Sequence, residues 1–480
     1  MATSPDPVPE TGRVAALVPD SVRHLARGLS ERWCRLTSGS ANRRVFGATM
    51  VVGSMTMLMK LVSLFKESVV AALFGTGNAF DAFIIACLVP GCTAAIVSGS
   101  LNAALIPTYI EVREQENGEA AQRLYTTTLM YNFLLLLGVS LLLAVTVDLW
   151  LPLIASSFDP AKLALTKRMF YMTLPLLLIS GFTTTWGALL NASDKFALVA
   201  IAPTLSPLAI LLCLMLLFRN LGIYSLLGGT MLGSLAETAV LGVVLARRGH
   251  SLMPRWQGVT NAFRKVRSQY AASIGAAFMV TGMPVVDQAF ASSLGPRSNS
   301  LLAYGSKLVA LVMTLGAGAL GTALLPHLSR MVAAKDWRGI RRFIRSSGGM
   351  VMALSLTVTF LLIVMSNFLV RLLYQHGSFT ADDTAMVVKI QVFYLFRIPF
   401  ATTGVLVTRA LKALSANQFL LYMAFGSFTL NAVLDWLFIK RFGIAGITLS
   451  TSAYSVVVLL CLGTALFRLL DRREREDWQA

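Results

Sequence analysis

Residues 55–75 read MTMLMKLVSLFKESVVAALFG, an apolar run that carries Lys60, Lys66 and Glu67. A charge at the centre of a bilayer costs roughly 2.5–3.5 kcal/mol on insertion scales, so charges kept there have a task. Lys60 and Glu67 are seven apart and share one stripe of a helix, whereas Lys66 points about 120° away. One buried Lys–Glu pair therefore explains only part of the set. Lys307 stands in the corresponding region of the second half of the chain, Arg397 lies in a later apolar segment, and Asp81 lies just beyond the first. Two readings stand. Cations converging from both halves would make a cavity attractive to an anion such as a diphosphate. The same residues, with Glu67 and Asp81, would otherwise be internal salt bridges that lock helices together.

A second set has the opposite sign. TLNAVLDWLF (429–438) places Asn431 and Asp435 four apart, on one face of a helix. GITLSTS (446–452) offers Thr451 in the next apolar segment, and MPVVDQAF (283–290) offers Asp287. Carboxylates, an amide oxygen, a hydroxyl and a carbonyl freed from its helix are hard oxygen donors. They suit a small hard cation such as Na⁺, or a proton relay. Asn431 and Thr451 would otherwise simply hydrogen-bond between helices.

No enzyme motif accompanies these residues: there is no G-x-x-x-x-G-K-[ST], no HExxH and no Cys/His metal spacing. Neither catalysis nor ATP-driven pumping is expected, and an ion gradient is the natural energy source. The five cysteines lack paired spacing, so free thiols are expected.

The elements that hold these charges follow from composition. The 480 residues are 56% hydrophobic and 13% charged, which is too apolar for a soluble domain. The apolar runs are roughly 20–30 residues long, which means helices and excludes barrel strands. The expected fold is an all-α polytopic membrane protein of about 12 transmembrane helices. They fall near 45–73, 79–110, 124–147, 169–190, 196–218, 223–246, 268–293, 299–329, 346–372, 384–411, 417–439 and 444–467. On a soluble protein the net charge of +18 would suggest nucleic acid; here it marks topology. With the N-terminus inside, about 27 Lys/Arg fall in cytoplasmic segments and about 8 outside, which predicts two cytoplasmic termini.

The halves echo each other. SGSLNAALIPTYI (98–110) matches GAGALGTALLPHL (316–328), ASDKFALVAIAP (192–203) matches SANQFLLYMAFG (415–426), and LGI (221–223) matches FGI (442–444). This predicts two pseudo-symmetric six-helix lobes, 45–246 and 268–468, around a central cavity, joined by a cytoplasmic linker at 247–267. A basic tail precedes them at 1–44, and a short cytoplasmic tail follows at 469–480. Val22, Leu25, Leu29, Trp33 and Leu36 alternate with Arg23, Arg27, Arg32 and Arg35, as in a basic amphipathic helix on the inner leaflet; a tail that only enforces topology is the alternative. Prolines 90, 107, 175, 203, 207, 284, 326 and 399 lie within spans and should kink or break them.

Four stretches together resemble one family: SMTMLMKLVSLFKESVVAALFGTGNAFDAF (54–83), LPLLLISGFTTTWGALLNASDKFALVAIAPTL (174–205), GALGTALLPHLSR (318–330) and LLYQHGSFTADDT (372–384). Over about residues 45–468 the chain resembles the lipid II flippases called MurJ or MviN, in the wider superfamily of multidrug and polysaccharide exporters. The resemblance implies alternating access for an undecaprenyl-pyrophosphate-linked saccharide in the bacterial inner membrane. It implies that Lys60, Lys66 and Lys307 stand at cavity arginines that hold the diphosphate, with Arg397 added here from its place in the tenth span. Glu67 and Asp81 stand at family aspartates, Asp81 near the outer gate, and both are expected to form gate contacts. Asp287, Asn431, Asp435, Thr451 and the carbonyl of Ile447 stand at a sodium site found in some members, so Na⁺ is the expected coupling ion.

The departures point elsewhere. Three functional arginines are lysine here, which keeps the charge and loses the planar bidentate fork. LVPGCTAA (88–95) lacks basic residues that the family carries in its second helix. The chain stops after twelve spans where the lipid II flippases have fourteen. These differences raise a related glycan, such as an exopolysaccharide repeat unit, as the cargo. The rivals are a cation-coupled multidrug exporter of the same fold and a transport-dead scaffold for glycan-synthesis proteins.

Overall fold

The computed structural model describes residues 41–193 and 196–479, and their side chains except for 41–52, 272, 317–323, 325–327 and 478–479. The amphipathic helix expected over 22–36 lies outside the described residues. The chain divides into two units, residues 1–58 and 59–480. Of the first, residues 41–58 are described and are helical. The second holds every candidate site residue.

The described residues form helices joined by turns and loops, with no strand. The first half contributes α1 (Ala41–Phe74), α2 (Asn78–Gln115), α3 (Gly118–Val145), a short α4 (Val147–Ile154), α5 (Pro160–Ala192), α6 (Phe196–Ile201), α7 (Leu205–Leu221) and α8 (Ile223–Ala246). The second contributes α9 (Asn261–Ser292), α10 (Ser298–Ala333), α11 (Trp337–Tyr374), α12 (Ala381–Leu395), α13 (Arg397–Ala413), α14 (Asn417–Phe442) and α15 (Ile444–Gln479). Ten of the described helical stretches are long and apolar enough to cross a membrane, counting Phe196–Leu221 and Ala381–Ala413 as one each. The helices α1 and α10 cover the expected first and eighth spans.

Local chemistry sets the ends. Asp159 caps α5, its side chain accepting from the Lys162 amide at 2.7 Å with Pro160 in the first turn. Thr380 and Asp383 form a reciprocal capping box at the start of α12. The tenth span breaks at Phe396 because Pro399 cannot bond to, and clashes with, the carbonyl of Leu395, where α12 ends. The fifth breaks over Ala202–Thr204, a 3₁₀ turn that contains Pro203. Prolines 90, 107, 175 and 284 instead sit inside continuous helices. In membranes neighbouring helices re-satisfy the carbonyl that such a proline frees.

The internal repeat is visible in the backbone. The LGI and FGI triplets become matching one-residue turns: Gly222 (φ 54°, ψ −125°) links α7 to α8, and Gly443 (φ 58°, ψ −139°) links α14 to α15. Only glycine takes this positive-φ conformation without strain.

Where α1 meets α2, one apolar core draws on both halves: Val70, Phe80, Ile85 and Phe170 pack with Tyr304, Val370, Tyr374, Phe379 and Val387. At the other end the cores are separate. One gathers Leu105, Tyr109, Leu124, Tyr125 and Leu241, and the other gathers Leu328, Ile340, Ile344, Leu406 and Leu466. The helix α9 belongs to both halves. Its start packs Phe263, Val266 and Tyr270 into the first half's core, and its later residues run against α14. It begins at Asn261, so it reaches back into the expected linker.

Candidate functional site

The charges of α1 do not stand alone. Glu67, only 5% exposed, accepts Lys66 Nζ at 2.5 Å and Lys307 Nζ at 2.9 Å, both on Oε1. Lys66 is its chain neighbour, and Lys307 comes from α10 in the other half. Two cations thus share one carboxylate across the seam between the halves, and a net positive charge remains. Lys60, the stripe partner that helical spacing favours, is partly exposed and has no ion pair among the described residues. The long, flexible lysine stem lets the adjacent Lys66 curl onto Glu67, where simple helical phase points it away.

Asp81 is fully buried and receives four donors. Oδ2 accepts Lys162 Nζ at 2.7 Å and the Arg297 amide at 2.8 Å. Oδ1 accepts the Ser300 amide at 2.8 Å and the Ser300 hydroxyl at 2.5 Å. Arg297 and Ser300 are the N-cap and third residue of α10. The carboxylate of α2 therefore caps a helix of the other half, meeting its unpaired amides and the positive end of its dipole. Lys162 belongs to the same half as Asp81 and neutralises it.

Further bonds close this end. Arg297 sits in the left-handed region at φ 71°; its Nε donates to Thr76 Oγ1 at 2.9 Å, and its guanidinium bonds to Asp383. Thr76 donates to Asp383 at 2.8 Å. The Ser378 amide donates to the Ala72 carbonyl at 2.8 Å, and Ser157 donates to the Ser292 carbonyl. Beneath them Tyr304 stacks on Phe80 at 5.2 Å and meets the tilted ring of Tyr374 at 5.1 Å. The end where α1 meets α2 is thus sealed by polar caps over an aromatic plug.

The oxygen-rich residues also converge, within the second half. Asn431 Nδ2 donates to Asp287 Oδ1 at 2.8 Å and to Asp435 Oδ2 at 3.1 Å. Ser450 donates to Asp435 and, at 2.7 Å, to the Ile447 carbonyl. Thr451 reaches the same carbonyl at 2.9 Å. Asn431, Asp435, Ile447 and Thr451 are all buried. Arg397 does not join the lysines. It bonds to the Tyr394 hydroxyl at 2.7 Å, lies over that ring, and interacts electrostatically with Asp287. The break at Phe396 turns it toward the acidic cluster.

Several of these residues escaped sequence reasoning: Lys162, Arg297, Ser300, Thr76, Asp383 and Ser450. Two left a signal. The Asp159–Pro160 pair marks a helix start ahead of the apolar span, which brings Lys162 onto α5, and T-A-D-D at 380–383 marks a capping box. The others are ordinary loop or helix residues whose partners lie far away in the chain.

The comparisons with known proteins agree with this architecture. The family model described as Lipid II flippase MurJ matches residues 70–478. A probable lipid II flippase MurJ of Synechocystis sp. is 26% identical over 453 residues, covering 91% of this chain and 83% of that protein. A lipid II flippase MurJ of Burkholderia cenocepacia is 23% identical over 459 residues, covering 91% and 85%. A solved structure of lipid II flippase MurJ in an inward closed conformation superposes with a TM-score of 0.75 at 20% identity, covering 87% of each chain. An inward-facing multidrug resistance MATE family transporter of the MOP superfamily superposes at 0.71 with 10% identity, covering 89% of this chain and 99% of that one. The structural likenesses establish the two-lobe fold, and the match along the sequence establishes the family. The chain belongs to the lipid II flippase MurJ family, a family of multi-pass bacterial membrane transporters and not of enzymes.

Proposed function

We propose that this protein flips a polyprenyl-diphosphate-linked saccharide of the lipid II type across the bacterial inner membrane by ion-coupled alternating access. The observation that carries the reading is the shared carboxylate at the seam: Lys66 and Lys307, from opposite halves, meet on Glu67. A diphosphate entering between the halves offers the same two cations a stronger acceptor than one carboxylate. Lys60, on the same helix stripe as Glu67 and without an ion pair among the described residues, adds charge to that path. The Lys/Arg bias puts both termini in the cytoplasm. The sealed end then faces outward, and the conformation is closed to the outside.

The second cluster fits a coupling cation. Asn431 Oδ1 is buried and has no hydrogen-bond partner among the described residues, an acceptor that a cation or an acid proton would satisfy. Asp287, Asp435, Asn431, the Ile447 carbonyl and Thr451 would hold Na⁺, which when bound supplies the coupling charge. Asn431 keeps the two carboxylates in register by donating to both, and Ser450 fixes Asp435. The lysines at the seam disfavour drug export, since they repel cationic drugs.

The test is flipping of fluorescent polyprenyl-diphosphate saccharides in proteoliposomes, with and without a Na⁺ gradient. Lys66→Ala should abolish flipping, and Asp435→Asn should remove its Na⁺ dependence. A wild-type protein that moves no such lipid under any gradient refutes the proposal. Rescue of cells depleted of their essential lipid II flippase separates lipid II from an exopolysaccharide repeat unit.

A further inference from the structure

The start of α11 reads WRGIRRFIRS (337–346). Arg338, Arg341, Arg342 and Arg345 recur at helical spacing and share one face. Ile340 and Ile344 turn the other way, into the second half's core. The last stretch of α15 lies alongside and supplies three carboxylates. Asp477 accepts Lys335 at 3.0 Å and the Trp337 indole at 2.5 Å. Glu474 accepts Arg338 at 2.8 Å, and Asp471 accepts Arg341. These pairs clamp the two helices together and are then used up. Arg342 and Arg345 have no carboxylate partner among the described residues; Arg345 rests over the Phe467 ring at 5.5 Å. Between the helices is a cleft of about 470 Å³ lined by Arg338, Arg341, Arg342, Arg345, Ser346 and Glu474. Of its four guanidiniums, Arg338 and Arg341 are held by Glu474 and Asp471, which leaves Arg342 and Arg345 to carry the cleft's uncompensated charge.

Depth fixes what such a cleft meets. Residues 346–370 are uncharged. At about 1.5 Å per residue they span about 37 Å, more than the roughly 30 Å hydrocarbon core and less than the 40–45 Å of the whole bilayer. Arg345 therefore lies in the headgroup layer, and Arg342 one turn further out. The same helix face continues inward through Gly349 and Ala353 to Leu356 and Phe360, which are 49% and 70% exposed. Cationic groups at headgroup depth stand directly above an exposed apolar strip. That is the pattern of a phosphate with acyl chains attached, and a soluble phosphate has no use for the strip.

We propose that this cleft is a binding site for an anionic phospholipid, with Arg342 and Arg345 on the headgroup phosphate and Leu356 and Phe360 along an acyl chain. The site is on the outer face of the second half and is independent of the transport seam. The lipid also shields two unpaired guanidiniums that would otherwise repel each other beside Arg338 and Arg341.

The test is native mass spectrometry of the full chain, released from nanodiscs of phosphatidylcholine containing graded phosphatidylglycerol. The wild type should retain phosphatidylglycerol in preference to phosphatidylcholine. The variants R342A/R345A and R342Q/R345Q should lose that preference roughly 25-fold, at about fivefold for each arginine, while R342K/R345K keeps most of it. Thermal melts of each variant confirm folding, and the glutamine pair preserves side-chain length. Equal retention of the two lipids by the wild type, or an unchanged preference in both neutral variants, overturns the proposal. Displacement of phosphatidylglycerol by inorganic pyrophosphate at comparable concentration overturns it too, by assigning the cleft to a soluble anion.

Discussion

Replacing Asp81 with asparagine separates the two jobs of that carboxylate. Asp81 binds Lys162 inside its own half and the first turn of α10 across the seam. An asparagine keeps one oxygen and gains an NH₂ group. Facing Lys162 and the Arg297 amide, the NH₂ would meet two donors; facing Ser300, it meets one amide and a hydroxyl that can rotate to accept. The second orientation wins, and the Ser300 amide is left unpaired. An orphaned buried amide costs about 1–3 kcal/mol, and this cost arises only while the halves are closed together. Lys162, 5% exposed on its side chain, loses its counter-charge in every state, which costs roughly 3–5 kcal/mol of overall stability. Asp81→Asn should therefore lower the thermal midpoint and, separately, shift the closed-to-open ratio at this end by about 5- to 150-fold toward open. Spin labels at Gly77 and Ser293, on opposite halves and both exposed, read the second effect as a longer distance population in a cysteine-free background. A lower midpoint with an unchanged distance distribution would refute the cross-seam cap.

Three further outcomes follow from the same geometry. Gly377 has φ 56°, and a Cβ there would run into the Ala72 carbonyl, so Gly377→Ala should open the sealed end and lower the thermal midpoint, read by the same labels. Lys307→Ala should weaken cargo binding more than Lys60→Ala, because Lys307 supplies the cation from the second half; equal losses in a titration with a polyprenyl diphosphate would contradict this. His250, in the loop before α9, bonds to Gln122 at 2.8 Å, and burial, then the charge of Arg248, holds its imidazole below the ordinary value of 6.5. A depressed value means the fold favours the neutral ring. The loop's contribution is therefore present above about pH 6.5 and fades as pH falls below it, which histidine NMR resolves among only four histidines.

Much of this was legible in the chain. Apolar length set the helices, since a span must cover the hydrocarbon with its own hydrogen bonds satisfied. The LGI and FGI triplets announced the repeat, and the backbone then showed their glycines in matching positive-φ turns. The misplaced charges announced a site, because burying them is costly. Their partners were less legible. Spacing favoured Lys60 for Glu67, yet flexible stems chose Lys66 and Lys307. Pro399 marked a break in the tenth span, but which way Arg397 would then face depended on Asp287, more than a hundred residues earlier in the chain.

The sequence by itself determined that this is a repeated helical membrane protein with cations and hard oxygens held where lipid should be. Each of those follows from local periodicity and transfer free energy. The tertiary structure decided which charges neutralise one another and which end is shut. Those outcomes rest on Asp81 reaching α10, on Arg297 reaching Thr76 and Asp383, and on Lys307 reaching Glu67. Such contacts join residues that chain order separates, and only the packing of the two halves brings them within a hydrogen bond's reach.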